Sequence, residues 1–194
     1  MENQIAPEVL AAKQQAHEQG FRDLLLGKRF DGCFVYTFQS RPADAVDDQS
    51  LLVFGGMDLV LDGVTMCIGF NVGMELLDLQ VKEFAKLSGE VPITMLPRDL
   101  VGMLDRLEGA VVSNCSFRWM HYFELNEDFE PVEEPSFAPM EMLLEFDGGE
   151  KLQLAGIHFQ LLPSGEMTNL AYHPEGALLI SSNPWTEIGD AEPA

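Results

Sequence analysis

The sequence predicts an α+β fold, two repeats of a helix followed by an antiparallel β-meander, packed as one pseudo-two-fold body. Three observations lead there. Apolar residues recur at helical spacing in two short stretches, Val9–Phe21 and Leu100–Leu107. Each stretch is followed by runs rich in β-branched and aromatic residues, punctuated by glycine turns. The run Leu51–Phe70, LLVFGGMDLVLDGVTMCIGF, is echoed by Leu143–Leu161, LLEFDGGEKLQLAGIHFQL.

The elements follow in order. Pro7 suits a first helical turn, where its missing N–H costs nothing, and Gly27 suits the end of that helix. His17 falls on its polar face and is expected to be exposed. Arg29–Gln39, RFDGCFVYTFQ, reads as a strand, and Ser40–Ser50 as a polar loop. Leu51–Phe54 and Met57–Leu61 read as strands joined at Gly55-Gly56, with Asp62-Gly63 as a second tight turn before Val64–Phe70. A two-residue loop there sets Leu61 opposite Val64 and Leu59 opposite Met66, on one face. A single strand bent by a glycine bulge is the rival reading. Met74–Val81 alternates enough to be a strand, and Lys82–Leu87 reads as a short helical tail.

The programme then restarts. Pro97 opens a second helix whose core face is Leu100, Met103, Leu104 and Leu107, ended by Gly109. Ala110–Leu125 reads as a strand in which Phe117, Trp119 and Phe123 share a core-facing side. Asn126–Pro139 is an acidic loop containing proline. Leu143–Phe146, Glu150–Leu154 and Ile157–Leu162 are strands, with Ala155-Gly156 as a turn or a bulge. Glu166–Tyr172 and Ala177–Ser182 read as a hairpin around His173–Gly176. At an offset of 82, Gly20, Asp23, Gly27 and Cys33 fall on Gly102, Asp105, Gly109 and Cys115; at offsets of 92 and 93, Gly56 and Gly63 fall on Gly148 and Gly156. The units are therefore residues 7–90 and 91–182, followed by a flexible acidic tail, 183–194.

Charge dominates the composition. The 194 residues carry 32 acids against 11 bases, a net charge of −21. Residues 1–90 contribute −7 (14 acids, 7 bases) and residues 91–194 contribute −14 (18 acids, 4 bases). Such a field repels phosphate backbones and anionic lipid, and attracts cations. We expect no direct nucleic-acid binding. The sequence has no apolar run long enough to span a membrane and no secretory leader pattern at Met1, so a cytoplasmic, bacterial-type protein is expected. Three cysteines, Cys33, Cys67 and Cys115, are an odd and sparse set that fits reduced, buried thiols.

Motifs for chemistry are missing. Four histidines show no metal-ligand spacing, the glycine pairs precede no phosphate-binding helix, and no nucleophile elbow occurs. No cofactor, metal or catalytic residue is expected, and the balance falls on a non-catalytic role. The sequence reading is a protein that binds and masks a basic protein partner, as immunity proteins and inhibitors do. The patch assigned to that partner is Asp44, Asp47 and Asp48 in the first unit, with Glu124, Glu127, Asp128, Glu130, Glu133 and Glu134 in the second. A DNA mimic that inhibits a nucleic-acid enzyme, and a small-ligand protein or enzyme with a site between the units, are the alternatives. Oligomeric state is not encoded in any visible pattern.

Overall fold

The computed structural model describes residues 7–40, 43–69, 79–80, 83, 92–122, 136–163, 167–173 and 176–189. It is an α+β fold of helices and two antiparallel sheets. Helix α1 spans Pro7–Leu25 and ends at Gly27, which takes the left-handed conformation, φ 73°, that glycine adopts without a Cβ clash. Strands β1 (Phe30–Phe38), β4 (Gly55–Leu61), β5 (Val64–Gly69), β6 (Leu79–Gln80) and β7 (Ile93–Met95) form the smaller sheet, in the order β6-β5-β4-β1-β7. The larger sheet holds β2 (Asp44–Ala45), β3 (Ser50–Val53), β8 (Val112–Tyr122), β9 (Ser136–Phe146), β10 (Lys151–Leu161), β11 (Met167–Tyr172) and β12 (Ala177–Ser181). Its order is β2-β3-β12-β10-β9-β8, with β11 beside β10. Helix α2 (Arg98–Val101) runs straight into a 3-10 segment, Gly102–Leu107.

The tight turn at Asp62-Gly63 forms as its chemistry demands. Leu61 pairs with Val64 and Leu59 with Met66, both Asp62 and Gly63 having positive φ. Leu59, Leu61 and Met66 are buried, whereas Val64 stands exposed at the turn.

Three other turn assignments are corrected. Gly55-Gly56 makes no hairpin: both residues lie inside β4, opposite Thr37 and Tyr36. The chain instead crosses there from the larger sheet to the smaller one, since β3 pairs with β12 and β4 with β1. A Cβ on Gly55 would stand 2.2 Å from the Tyr36 carbonyl oxygen, so the glycine serves a close backbone approach. Ala155-Gly156 is also mid-strand, flanked on both sides by Glu141 and by Leu178 and Leu179. The turn expected between Phe146 and Glu150 does form, at Asp147–Gly149. Finally, β11 and β12 are not a hairpin. Both lie antiparallel along one side of β10, and Ile157 pairs with both Tyr172 and Ala177. His173–Gly176 is an excursion between them, and Gly176 sits where a Cβ would be 1.9 Å from the Ile157 carbonyl oxygen. The matches at offsets 92 and 93 therefore pair glycines in different roles: Gly56 in a strand with Gly148 in a turn, and Gly63 in a turn with Gly156 in a strand.

The second helix is tighter than its apolar spacing suggests. Val101, Leu104 and Leu107 are buried three residues apart, the repeat of a 3-10 helix. Leu100, expected in the core, is 41% exposed instead. His17 is also corrected: it is half-buried, stacked on Phe21 at 4.7 Å and edge-on to Trp119 at 5.2 Å. The expected helical tail at Lys82–Leu87 and most of the expected strand Met74–Val81 lie outside the described residues.

One core runs through both sheets. Phe21 and Leu25 of α1, Met57 and Leu59 of β4, Leu104 and Leu107 of the 3-10 segment, and Leu144, Leu154 and Ile180 of the larger sheet belong to it. Every residue of β3 and β12 is buried, consistent with the near-continuous apolar runs of strands covered on both faces. Residues from Asn183 to Gly189 cover part of the outer side. Trp185 exchanges two hydrogen bonds with the Gln153 side chain (N–H to Oε1 2.7 Å, carbonyl from Nε2 3.1 Å), and its indole N–H donates to Ser50 Oγ at 2.9 Å. Ala171 bridges Gly189, and Ile188 is buried.

Candidate functional site

The acidic residues singled out from the sequence are only partly described. Asp44 lies in β2, its backbone paired opposite Leu52, at an edge of the larger sheet. Asp47 and Asp48 are exposed in the following turn, and the Asp47 carboxylate accepts the Gln49 N–H at 2.8 Å. Glu124, Glu127, Asp128, Glu130, Glu133 and Glu134 lie outside the described residues.

Positive charge is held locally. Five basic side chains rest on carboxylates: Arg22 on Glu18 (2.8 Å), Lys28 on Asp62 (3.4 Å), Arg29 on Asp31 (2.8 Å), Arg98 on Asp105 (3.1 Å) and Lys151 on Glu145 (2.8 Å). Each pair is worth little to stability at the surface. Their effect on the field is larger, because paired cations leave the surplus of carboxylates to set the potential seen from a distance. The guanidinium of Arg29 and the Gly63 N–H (2.7 Å) hold the Asp31 carboxyl below the usual range. Lys151 and then Asn114 do the same for Glu145.

A recess lies elsewhere, between β1 and the α2/3-10 segment. It has a volume of about 590 Å³. Its walls include Val35, Leu96, Val101 and Leu104, all buried, with Cys33 half-buried among them. Asp31, Arg98, Asp105 and Glu108 stand around it, three carboxylates to one guanidinium. Phe34 and Met95, 48% and 56% exposed, extend its apolar surface outward. Burial, and secondarily the Asp105 carboxylate, push the Cys33 thiol up to about 12, so it is not a ready nucleophile. Burial pushes the Cys115 thiol up to about 12 as well.

On the far face of the smaller sheet, the Tyr36 hydroxyl donates to the buried Asp58 carboxylate at 3.1 Å. Burial, then the charge of Asp58, raise the Tyr36 pKa strongly, which fits a structural hydroxyl better than an acid or base near neutrality. His158 and His173 approach with ring centroids 5.7 Å apart. Among the described residues no group of three or more His, Cys, Asp or Glu could hold a metal ion.

The recess was not visible in the sequence. Its rim acids, Asp105 and Glu108, share a short apolar helix with Arg98, a pattern that reads as an ordinary solvated face. The exposure of Phe34 and Met95 beside it, the available signal, appears only in the folded structure. Compared with protein families, with curated proteins and with solved structures, the chain matches none.

Proposed function

We propose that this protein binds and masks a basic protein partner, acting without catalysis in the manner of an immunity protein or inhibitor. The observation that carries the reading is the charge arrangement: a net −21 in which the described cations are largely paired onto neighbouring carboxylates. Long-range attraction of this kind steers a cationic partner and speeds encounter, and it weakens as salt screens it. Asp47 and Asp48 belong to the attracting surface, together with the acids of 124–134. Capture on the immobilised protein tests the proposal. Enriched partners are expected to be basic and to be released as NaCl rises from about 50 to about 500 mM. Enrichment of acidic or neutral partners with no effect of salt overturns it.

We also infer that the chain consists of two related units within residues 7–182. The support is a set of backbone hydrogen bonds with exchanged partners. Gly27 N–H donates to Val112 O (2.9 Å) and Gly109 N–H to Phe30 O (2.8 Å); Phe30 N–H donates to Ala110 O (2.8 Å) and Val112 N–H to Lys28 O (2.9 Å). All four map onto one another at the offset of 82. Both units then bulge at the same place, between Phe30 and Gly32 and between Val112 and Asn114. The correspondence continues at an offset of 85, because Asp62 and Asp147 cap the two first strands alike, through Arg29 N–H to Asp62 Oδ1 (3.2 Å) and Val111 N–H to Asp147 Oδ1 (3.1 Å).

A further inference from the structure

We propose that the recess beside Cys33 is the seat of an apolar side chain from the basic partner, with a flanking Lys or Arg residue of that partner on Glu108. The inference rests on the reading of the protein as a binder of basic partners, and it names the surface used.

The two halves of the molecule make the argument. Cys115 on β8 is closed over, 1% exposed, where the 19-residue helix α1 lies across its strand and sets Phe21 against Phe117. Cys33 occupies the matching position on β1. There the helix has four residues and then tightens into a 3-10 segment, and the thiol is left half-buried beside about 590 Å³ of space. A space of that size holds a large side chain with its neighbours, and apolar walls reward filling it.

The strand edge points the same way. Phe38 N–H donates to Phe54 O, so in β1 the residues bonded toward β4 alternate as Phe38, Tyr36 and Phe34. Thr37, Val35 and Cys33 point their backbone groups to the other side. Thr37 meets β7 and Val35 O accepts the Leu96 N–H, after which the chain turns away at Pro97. Among the described residues no backbone hydrogen bond reaches Cys33 from that side. An extended guest segment finds there one amide and one carbonyl to pair with. The surrounding charge selects a cationic guest: Asp31 and Asp105 already hold Arg29 and Arg98, and Glu108, 61% exposed with Arg98 only at 3.8 Å, is the rim acid open to it.

The experiment uses the full chain, isotope-labelled for NMR, and three capped hexapeptides, KKLLKK, KKGGKK and EELLEE. KKLLKK is expected to shift the amides of Gly32, Cys33, Phe34 and Leu104 and to bind about tenfold more tightly than KKGGKK. EELLEE is expected not to bind. Filling the recess with Cys33→Trp, or reversing the rim charge with Glu108→Lys at a position 61% exposed, is expected to remove the advantage of KKLLKK over KKGGKK. Equal affinity of the two cationic peptides, or shifts confined to Val46–Gln49, overturns the recess and leaves the proposed function standing. Absence of salt-dependent binding by either cationic peptide overturns both.

Discussion

Arg29 and Val111 face each other in an isolated antiparallel bridge, and the hydrogen bonds on either side of it repeat with partners exchanged. The two residues are themselves separated by the offset of 82 that relates Gly27 to Gly109 and Cys33 to Cys115. The bridge thus joins the two sheets just before β1 on one side and just before β8 on the other. It also makes the two helix-ending glycines comparable.

Gly27 and Gly109 have φ of 73° and 87°, and a Cβ at either would meet nothing within 4 Å. Alanine there is penalised only by the left-handed backbone. Gly27→Ala and Gly109→Ala are each expected to lower the unfolding free energy by about 1 kcal/mol, and by similar amounts. Urea titration of the two single variants and the double variant checks this, with near-additivity expected.

Gly176→Ala and Gly55→Ala belong to a different class, since their Cβ atoms would sit 1.9 Å and 2.2 Å from the backbone carbonyl oxygens of Ile157 and Tyr36. Backbone on both sides must move. A loss of several kcal/mol, on the order of 3 or more, is expected, seen as lost solubility or a much lower urea midpoint. Gly20→Ala inside α1 is the control, with open space around it and a gain of about 0.5–1 kcal/mol from better helix propensity.

Burial raises the Glu18 carboxyl, but hydrogen bonds from Gln14 (3.1 Å), Arg22 (2.8 Å) and Trp119 (2.9 Å) outweigh it and hold the pKa below the ordinary glutamate range. The unfolded chain therefore takes up this proton at a higher pH than the folded one. The contribution is full above the unfolded-state pKa and disappears as pH falls through the folded one. Glu18→Gln is expected to cost about 1 kcal/mol at neutral pH and progressively less as the pH is lowered through the carboxylate range, when thermal unfolding of the two proteins is compared at each pH.

Gln153 is 1% exposed and is bonded to Trp185 twice and to Glu141 at 2.8 Å. Tyr172 donates to the same Glu141 carboxylate. Gln153→Ala strands these groups and is expected to cost about 1–3 kcal/mol. It should also free the 183–189 segment, shifting tryptophan emission to the red; unchanged emission would show that the Gln153–Trp185 pair does not hold the segment.

Local chemistry was legible where a few residues suffice. The Asp62-Gly63 turn, its cross-strand partners, the helix starts at Pro7 and Pro97 and the two terminating glycines all depend on φ preferences or side-chain parity within a handful of positions. Glycine was where the reading failed. Gly55, Gly156 and Gly176 look like turn residues in one dimension, yet each serves a strand or a close approach between distant segments. Nothing in the neighbouring residues distinguishes a glycine needed for positive φ from one needed because another backbone passes within reach. The recess at Cys33 was hidden for a related reason, since it exists only because the second helix tightens to three residues per turn under the packing of Val101, Leu104 and Leu107.

By itself the sequence determined the α+β class, the long helix, most of the longer strands and the strongly acidic field, but it read Asp44–Ala45 and Ser136–Pro139 as loop where β2 and the start of β9 lie. What it determined rests on composition, periodicity and backbone preference, all short-range properties. Only the tertiary structure decided that β3 pairs with β12, over Leu52 and Leu179, while β4 departs for the other sheet. Apolar runs such as SLLV and ALLIS announce burial on both faces, but hydrophobic attraction has no direction. The partner of each strand is chosen by hydrogen-bond register and by which faces a shared core can close, and that choice belongs to the whole chain.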